Sequence, residues 1–450
     1  MYDTIAAISS GAHINQAISI VRLCGPEAES IFKKIYKGKI GKDHQITYGH
    51  IYDDEQLVDE ALIMWFTGKE VDNKVIYNNY VGEPIIEINC HGGIVVTNKI
   101  LELLLKNGAR LAENGEFTRR AFLNGKLDLV KAEAIHDLIT AKTSVQAQAS
   151  VNKFNGKTSH LVDIFLNKIA LLIGICEVNI DYPEYEDVEK VNETMMLNSL
   201  TDLVNELNTI IKVSEDSKYI FEGVKVALLG KPNVGKSSIL NALLSEEKAI
   251  VTDIAGTTRD LVEASYQING MLFKLIDTAG LRKTNEKIES IGITKSLEQI
   301  QKSDLVIHVI DPTQENNEYD KIIEQESKKF NKFYLKVQNK SDLEVNSNQE
   351  IINISAINND IEQLEKALIK MFANIDIYDE RIFSNTRQLS LIKKAQLALI
   401  EAKNAIELGN TFDVIIVDLY AAWDSLQNIK GNVNREDLLD VMFSNFCLGK

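Results

Sequence analysis

The chain has 450 residues, of which 45% are hydrophobic and 25% are charged. This ordinary globular composition excludes a largely disordered chain, and the length predicts two to four domains of about 100–200 residues. Lysine and arginine number 49 against 65 aspartate and glutamate, which gives a formal net charge of −16. That balance disfavours a protein that coats nucleic acid by bulk charge, so any RNA contact needs a local basic patch or a partner's surface.

The four cysteines are scattered and form no Cys-x-x-Cys pair, which argues against a zinc site or a disulfide framework and favours a reducing compartment. They are Cys24, Cys90, Cys176 and Cys447. The first residues lack a basic stretch followed by an apolar one, so no secretory signal is expected. The longest apolar run, residues 169–176, is far shorter than the ~20 residues that span a bilayer. We therefore expect a cytoplasmic protein without a membrane segment.

The first segment in chain order, residues 1–118, is predicted to be mixed α/β. Apolar runs at 61–66 and 85–89 indicate strands, and residues 94–106 have helical periodicity. Residues 119–220 then carry apolar positions at helical spacing with almost no proline or glycine, which predicts a helical segment.

The rhythm changes to strand–helix alternation in residues 221–375. Five near-continuous apolar runs indicate strands buried on both faces of a largely parallel sheet. They are residues 224–229, 272–276, 305–310, 333–337 and 351–354. Helical spacing returns in residues 376–450, for example at Leu389, Ile392 and Ala395.

The simplest architecture is a multidomain α/β plus all-α protein. An α/β domain is inserted between the two halves of one helical domain, behind a separate N-terminal domain. The two helical halves could instead form independent bundles, and the sequence leaves that choice open.

The strongest motif is Gly230-Lys-Pro-Asn-Val-Gly-Lys-Ser237, which fits G-x-x-x-x-G-K-S/T between a strand and a helical run that starts at Ser238. Its glycines let successive backbone N–H groups and the helix N-terminus face phosphate oxygens. Lys236 can reach the β- and γ-phosphates, and the Ser237 hydroxyl can bind Mg²⁺. The motif predicts a P-loop nucleotide site.

Three later motifs select the base. Asp277-Thr278-Ala279-Gly280 follows a strand, where the carboxylate can support Mg²⁺ and the Gly280 N–H can meet the γ-phosphate. In Asn339-Lys340-Ser341-Asp342 a carboxylate can accept from the N1–H and 2-amino edge of guanine, which adenine does not offer. Ser355-Ala356 completes the order found in GTPases. GTP is therefore the predicted nucleotide, and Ile357 after this pair leaves any guanine contact there to the backbone.

One expected catalytic group is missing. Ras-type enzymes place a glutamine after Asp-x-x-Gly to orient the attacking water, but Leu281 stands here. Asn233 and residues 251–260 could instead form an oxygen cage for a monovalent cation, with Thr258 as a second Mg²⁺ ligand. Glu289 could orient water. The plainer alternatives are a loop asparagine that bonds its own backbone and a solvated glutamate.

Other motifs extend the pattern beyond the P-loop. They are Ala255-Gly-Thr-Thr-Arg-Asp260, Asp277-Thr-Ala-Gly-Leu-Arg282, Glu289-Ser-Ile-Gly292, Glu87-x-x-Cys-His91-Gly-Gly, Gly115-Glu-Phe-Thr-x-Arg-Ala-Phe-Leu-Asn124, Lys126-Leu-Asp-Leu129 and Phe446-Cys-Leu-Gly-Lys450. Over essentially its full length the chain resembles the MnmE (TrmE) tRNA modification GTPases. The resemblance implies an N-terminal α/β domain that binds folate and dimerises (1–118), a helical domain (119–220 and 376–450) and an inserted Ras-like GTPase domain (221–375).

The resemblance also implies an activity and its ligands. A homodimer hydrolyses GTP with Mg²⁺ and K⁺. Together with the flavoprotein MnmG it adds an aminomethyl or carboxymethylaminomethyl group to C5 of the wobble uridine of certain tRNAs. The one-carbon donor is a tetrahydrofolate derivative, either 5-formyl or 5,10-methylene.

The implied site residues are read from matching motif positions. For GTP they are Asn233, Val234, Gly235, Lys236, Ser237, Ser238, Thr252, Thr257, Thr258, Asp277, Thr278, Ala279, Gly280, Asn339, Lys340, Asp342, Ser355 and Ala356. Ser237 and Thr258 would bind Mg²⁺, and Asn233, Thr252, Ile254 and Thr257 would bind K⁺. Glu289, Lys236 and Asn233 would be catalytic. The folate residues would be Arg22, Glu87, Lys126 and Lys450.

Two alternatives remain open on the sequence. The chain could be a GTP-dependent binding switch, such as a ribosome-assembly factor, without modification chemistry. Cys447 fits a CaaX box poorly, and beside the folate site it could be either reactive or merely small and buried.

Overall fold

A computed structural model of the chain describes residues 3–11, 14–182, 186–244, 264–276, 289–315, 317–372, 379, 381–383, 385–431, 442–444, 446 and 449, with backbone alone at 186–192 and 289–295. The described chain forms two compact units. Unit 1 comprises Met1–His136 and Gln427–Lys450, and unit 2 comprises Asp137–Leu426. Within the described ranges, no helix is both long and apolar enough to cross a lipid bilayer.

Unit 1 is built on strands β1–β9 and helices α1–α4. The strands are β1 (Ile5–Ile8), β2 (Ile18–Cys24), β3 (Tyr36–Gly38), β4 (Gln45–Asp53), β5 (Gln56–Phe66), β6 (Lys69–Val71), β7 (Lys74–Ile76), β8 (Ile85–His91) and β9 (Arg110–Leu111). The helices are α1 (Ala28–Lys33), α2 (Ile94–Lys106), α3 (Glu116–Leu123) and α4 (Leu129–Thr140). Seven strands form one sheet in the order β3-β4-β5-β8-β2-β1-β9. The predicted helix at 94–106 is α2, and the two predicted strands lie within β5 and β8.

The two faces of this sheet differ in burial. Alternate residues such as Val21, Leu23 and Ile88 are fully buried in a core that includes α1 and α2 residues. The opposite face carries Ile18, Ile46, Tyr48 and Leu62, each more than half exposed at 64%, 62%, 55% and 51%. These four residues, here called the open sheet face, line a groove of about 290 Å³.

Unit 2 begins and ends with helices and contains the second sheet. Its helices are α5 (Ser144–Phe154), α6 (Lys157–Asp181), α7 (Glu186–Glu222), α8 (Lys236–Leu243), α9 (Glu289–Lys302), α10 (Glu318–Lys329), α11 (Glu362–Met371), α12 (Thr386–Glu407) and α13 (Phe412–Lys430). Its strands are β10 (Val224–Leu229), β11 (Ser265–Ile268), β12 (Met271–Leu275), β13 (Leu305–Ile310), β14 (Phe333–Gln338) and β15 (Ile351–Asn353).

The second sheet has six strands in the order β11-β12-β10-β13-β14-β15. Neighbours from β12 to β15 run parallel, and β11 pairs with β12 antiparallel. The five predicted strands are all present, and the predicted α/β plus helical fold class is confirmed. The carboxyl ends of β10, β13 and β14 meet at one edge, where ligands bind in open parallel sheets.

Helices that precede the second sheet in the chain contact helices that follow it. Lys393 on α12 forms a 2.6 Å ion pair with Glu215 on α7, and the Phe383 N–H donates to Ser214 Oγ at 2.9 Å. Tyr420 on α13 donates to Glu177 on α6 at 2.9 Å. Within unit 2, helices α6 and α7 of the first helical segment therefore pack against α12 and α13 of the second, while the single helical domain and the boundaries at 118, 220 and 375 stay predictions.

Candidate functional site

The phosphate loop connects β10 to α8 by a path that only glycine permits at two points. Gly230 has φ 154° and Gly235 has φ 95°. A Cβ at Gly230 would collide with the Val309 carbonyl oxygen, and one at Gly235 would collide with the Asn339 side-chain amide. Strand β13 and the Asn339 loop thus press directly against the P-loop, which explains the glycines of the motif in this chain.

The P-loop lysine bonds to its own loop. Lys236 Nζ donates to the carbonyl oxygens of Gly230 at 2.7 Å and Lys231 at 2.5 Å. Burial lowers its pKa to about 8, because two neutral acceptors replace hydration only in part. Its predicted phosphate contacts would exchange these carbonyls for anionic oxygens.

Asn339 joins the predicted nucleotide motifs. Its Nδ2 donates to the Val234 carbonyl at 2.9 Å, and its Oδ1 accepts from the Ala356 N–H at 3.1 Å. The residue is only 3% exposed. One buried amide therefore holds the P-loop and the 355–356 loop together, over a sequence separation of more than one hundred residues.

The predicted guanine-reading carboxylate lies in the same cluster. Asp342 is exposed, and its Oδ1 accepts from Ser355 Oγ at 2.6 Å. Lys340 has φ 62° and forms an ion pair with the buried Asp311, which follows β13. The hydroxyl orients the Asp342 carboxylate, and the ion pair anchors the backbone beside it.

Several predicted residues lie outside the described part of the chain. They are Thr252, Ile254, Thr257, Thr258, Asp277, Thr278, Ala279 and Gly280. Glu289 begins α9, but only its backbone is described. Of the metal ligands, Ser237 is an exposed hydroxyl in the first turn of α8, and Asn233 is an exposed amide at φ 64°. Both are oxygen donors of the kind that hard cations accept.

A second predicted site lies in unit 1, where Arg22 on β2 and Glu87 on β8 are direct cross-strand partners. Arg22 Nε and Nη2 lie 2.8 and 2.7 Å from Glu87 Oε1. The two side chains are 17% and 16% exposed. The Arg22 guanidinium also lies 5.3 Å from the centroid of the Phe117 ring. An accessible charged pair beside an aromatic ring can bind a polar heterocycle.

The C-terminal segment returns to this pair. The Gly449 carbonyl accepts from Ser9 Oγ at 2.9 Å and lies 3.3 Å from Arg22 Nη1. Gly449 has φ 87°, and a Cβ there would collide with the Ile8 carbonyl. Lys450 and Cys447 lie outside the described residues. Lys126, the other predicted folate residue, donates to the Tyr77 carbonyl at 2.6 Å. Its described hydrogen bond therefore does not join it to the Arg22–Glu87 pair.

Comparison with known proteins gives the family. A family model described as "MnmE helical domain" matches residues 129–447, and one described as "GTP-binding protein TrmE N-terminus" matches residues 4–126. A tRNA modification GTPase MnmE of Mycoplasma mobile is 53% identical over all of both chains. The chain belongs to the MnmE family.

Two further relatives of the MnmE family match over the whole of this chain and carry the same printed name. The protein of Mycoplasmopsis pulmonis is 51% identical over all of its length, and that of Lactococcus lactis is 42% identical over 99% of its length. The predicted membership in the MnmE family of tRNA modification GTPases is confirmed.

The structure gives a role to one MnmE-like motif for which the sequence suggested none. Within residues 115–124, Arg120 is only 2% exposed. Its Nη1 donates to the Asp3 carbonyl at 2.8 Å and lies 3.1 Å from Glu83 Oε2, and its Nη2 lies 2.9 Å from Glu116 Oε1. Arg120 therefore fastens α3 to the N-terminal segment. The Glu116/Arg120 spacing of four residues was the available signal, because it places both on one helix face.

Proposed function

We propose that this MnmE-family chain is a K⁺-activated GTP hydrolase that acts with MnmG. The two would add an aminomethyl or carboxymethylaminomethyl group to C5 of the wobble uridine of certain tRNAs. The carbon would come from a 5-formyl- or 5,10-methylene-tetrahydrofolate in the cytoplasm. The observation that carries the GTP part is the buried Asn339 amide, which bonds to both the P-loop and the 355–356 loop.

The nucleotide would be held by the described residues in three ways. The N-terminus of α8 and the loop N–H groups would meet the phosphates, and Lys236 would move its ammonium from loop carbonyls to phosphate oxygens. Asp342 would accept from the guanine N1–H and 2-amino group. Ser237, together with Thr258, would hold Mg²⁺, which neutralises phosphate charge when bound.

Hydrolysis needs a group that holds the attacking water, and Leu281 cannot do so. We assign that role to Glu289, at the first residue of α9. Asn233, Thr252, Ile254 and Thr257 would hold K⁺, which supplies positive charge beside the phosphates.

Steady-state hydrolysis in K⁺ and in Na⁺ at equal ionic strength tests the cation assignment. We expect faster turnover in K⁺, and equal rates in the two cations would contradict the K⁺ assignment.

Glu289→Ala should slow turnover while GDP binding survives. The matched control is Glu298→Ala, which changes an exposed glutamate on the same helix. Loss of GDP binding in Glu289→Ala would contradict a role in catalysis alone.

The folate proposal rests on the Arg22–Glu87 pair. Both described contacts from Arg22 to Glu87 reach Oε1, so Oε2 can accept from the amino-pyrimidinone edge of a pterin. Arg22, Lys126 and Lys450 carry the positive charge that the carboxylates of the folate tail require.

Calorimetric titration of 5-formyltetrahydrofolate separates this enzyme from the alternative GTP-dependent binding switch. We expect heat with the wild type and none with Arg22→Ala, while the exposed Lys74→Ala on β7 serves as a charge-matched control. No heat with any of them would favour the switch. Mass spectrometry of wobble uridines from cells with and without the protein then tests the tRNA chemistry itself.

The open sheet face supports the homodimer of this proposal. Four large apolar side chains are exposed on one face of the sheet, three of them on the neighbouring strands β4 and β5, which is more than scattered surface residues would give. Met64 lines the same groove and pairs with Glu87 across β5 and β8. A second copy on this face would therefore adjoin the folate site.

A further inference from the structure

A chain of buried polar groups runs through unit 2 from β14 to the phosphate loop. Tyr334 Oη lies 2.7 Å from His308 Nδ1, and His308 Nε2 lies 3.0 Å from Asp320 Oδ1. The other carboxylate oxygen of Asp320 lies 2.8 Å from Lys231 Nζ. The side chains of His308, Asp320 and Lys231 are 0%, 4% and 12% exposed. Lys231 is the second residue of the P-loop motif.

Each hydrogen bond in this row of side chains has one donor and one acceptor when His308 is neutral. A carboxylate only accepts, so His308 Nε2 carries the proton and donates to Asp320. Nδ1 then accepts from the Tyr334 hydroxyl. Burial lowers the pKa of His308 despite the nearby carboxylate, in keeping with this neutral form. One negative charge on Asp320 and one positive charge on Lys231 remain, and they face each other.

Asp320 is fixed from its own helix as well. Its Oδ2 accepts from the Asn317 N–H at 3.0 Å in a capping box at the start of α10. Lys231 Nζ also donates to the Glu315 carbonyl, and Gln314 Nε2 donates to the Pro232 carbonyl at 3.4 Å. The segment before α10 therefore holds residues 231–232 from outside the loop.

The phosphate loop needs contacts that fix its shape, because its backbone adopts positive φ angles at three positions. Gly230, Asn233 and Gly235 all have positive φ, at 154°, 64° and 95°. A non-glycine residue in the left-handed region persists where surrounding contacts over-determine it. Asn339 supplies one contact on the inner side of the loop, through the Val234 carbonyl. Lys231 supplies the other, before the bend at Asn233.

We propose that Lys231 is a positioning residue for the nucleotide. Its ammonium, bound to Asp320, keeps residues 230–233 in the shape that directs the loop N–H groups and the Asn233 amide toward the phosphates. Lys231 would act through the loop backbone and would not touch GTP. This rests on the proposed GTP site.

The first variant removes the charge and keeps the length. Lys231→Met should raise the Kd for a fluorescent GDP analogue and the KM for GTP about tenfold, because a misplacement of binding groups by about 1 Å is costly. Lys231→Arg, which can still bind Asp320, should stay near the wild type. The exposed Lys328→Met on α10, which breaks a surface pair with Glu324, should leave both constants unchanged.

A second variant separates positioning from folding. Lys231→Met leaves the Asp320 charge buried without its partner, which destabilises proteins in general. The double variant Lys231→Met/Asp320→Asn removes both charges and should regain thermal stability, yet its GDP affinity should stay low. Wild-type affinity in both Met variants would overturn the proposal, as would an Arg variant as weak as the Met variant. Failure of the wild type to bind GDP would instead overturn the GTP site itself.

Discussion

Lys236 carries its charge in surroundings that hardly stabilise it. The ammonium is bound to two loop carbonyls, and burial brings its pKa to about 8 from an ordinary 10.5. The unfolded chain therefore binds more protons than the folded one between these values. It follows that Lys236 by itself contributes a stabilisation of the nucleotide-free protein that grows as pH rises from about 8 to 10.5.

Nucleotide binding should reverse this pKa shift. Phosphate oxygens favour the charged ammonium, so GDP binding at pH 8.5 should be accompanied by uptake of a fraction of a proton. Calorimetry in two buffers of different ionisation enthalpy measures that uptake. At pH 6.5 Lys236 is protonated in both states, so the proton uptake should vanish there and leave only the protons that the terminal phosphate of GDP, with a second pKa of about 6, releases on binding. Identical heats in both buffers at pH 8.5 would contradict the lowered pKa.

Gly235→Ala offers a second residue-scale prediction. The added methyl would collide with Asn339 Nδ2 at a positive φ, so we expect loss of GDP binding and a destabilisation of about 1–3 kcal/mol. Gly174→Ala is the matched control, because it lies inside α6 and its Cβ would meet open space. That change should stabilise by about 0.5–1 kcal/mol. Nucleotide titration measures GDP binding by both variants, and thermal unfolding measures their stability.

At the scale of elements, α3 is held to unit 1 by a charge network as well as by the apolar packing of Phe117. Arg120 meets Asp3, Glu83 and Glu116 while almost completely buried. Hydrogen bonds from Arg110 and Arg120 outweigh the burial of Glu116 and keep its pKa below the usual value. The ion pairs of Arg120 therefore add to the buried Phe117 and Ala121 in placing α3.

Replacing that arginine tests the placement. Arg120→Met should destabilise unit 1 by about 3–5 kcal/mol, since it removes the cation that Glu83 pairs with and leaves Glu116 to Arg110 alone. Lys33→Met on α1, which breaks an exposed pair with Glu29, should change stability by no more than about 0.5 kcal/mol. Urea unfolding in a Trp423→Phe background, followed by fluorescence of the buried Trp65 in unit 1, reports both. Equal effects would show that the Arg120 contacts do not hold the helix.

The elements also show what sequence can and cannot predict. Strands β10 and β13 were predictable because burial on both faces makes them almost continuously apolar, with only Lys225 and His308 as exceptions. Edge strand β11, Ser265–Ile268, is short and mixed in polarity, and no strand was expected there. The sequence motifs identified Asn339 as a nucleotide residue. Its hydrogen bonds to both the P-loop and the 355–356 loop depend on how these two loops meet in the fold. The link from His308 to Lys231 depends on the packing of distant segments, which no local pattern reveals.

For the whole molecule, the open sheet face carries the prediction on assembly. Leu62→Asp introduces a charge in the middle of this face, where a second copy would have to desolvate it. We expect sedimentation velocity to show a dimer for the wild type and a monomer for the variant. Ile357→Asp, at a residue 83% exposed in unit 2, should leave the dimer intact. A wild-type monomer at micromolar concentration would remove the homodimer from the proposal.

The return of Gly449 to Ser9 and Arg22 sets the order in which the unit 1 site can be completed during synthesis. The carbonyl lies 427 positions after the arginine that it meets. Ribosomes add about 5–20 residues per second, so roughly twenty seconds or more pass between the synthesis of Arg22 and that of Gly449. Until then a nascent chain holds Arg22 and Glu87 without the segment that adjoins them.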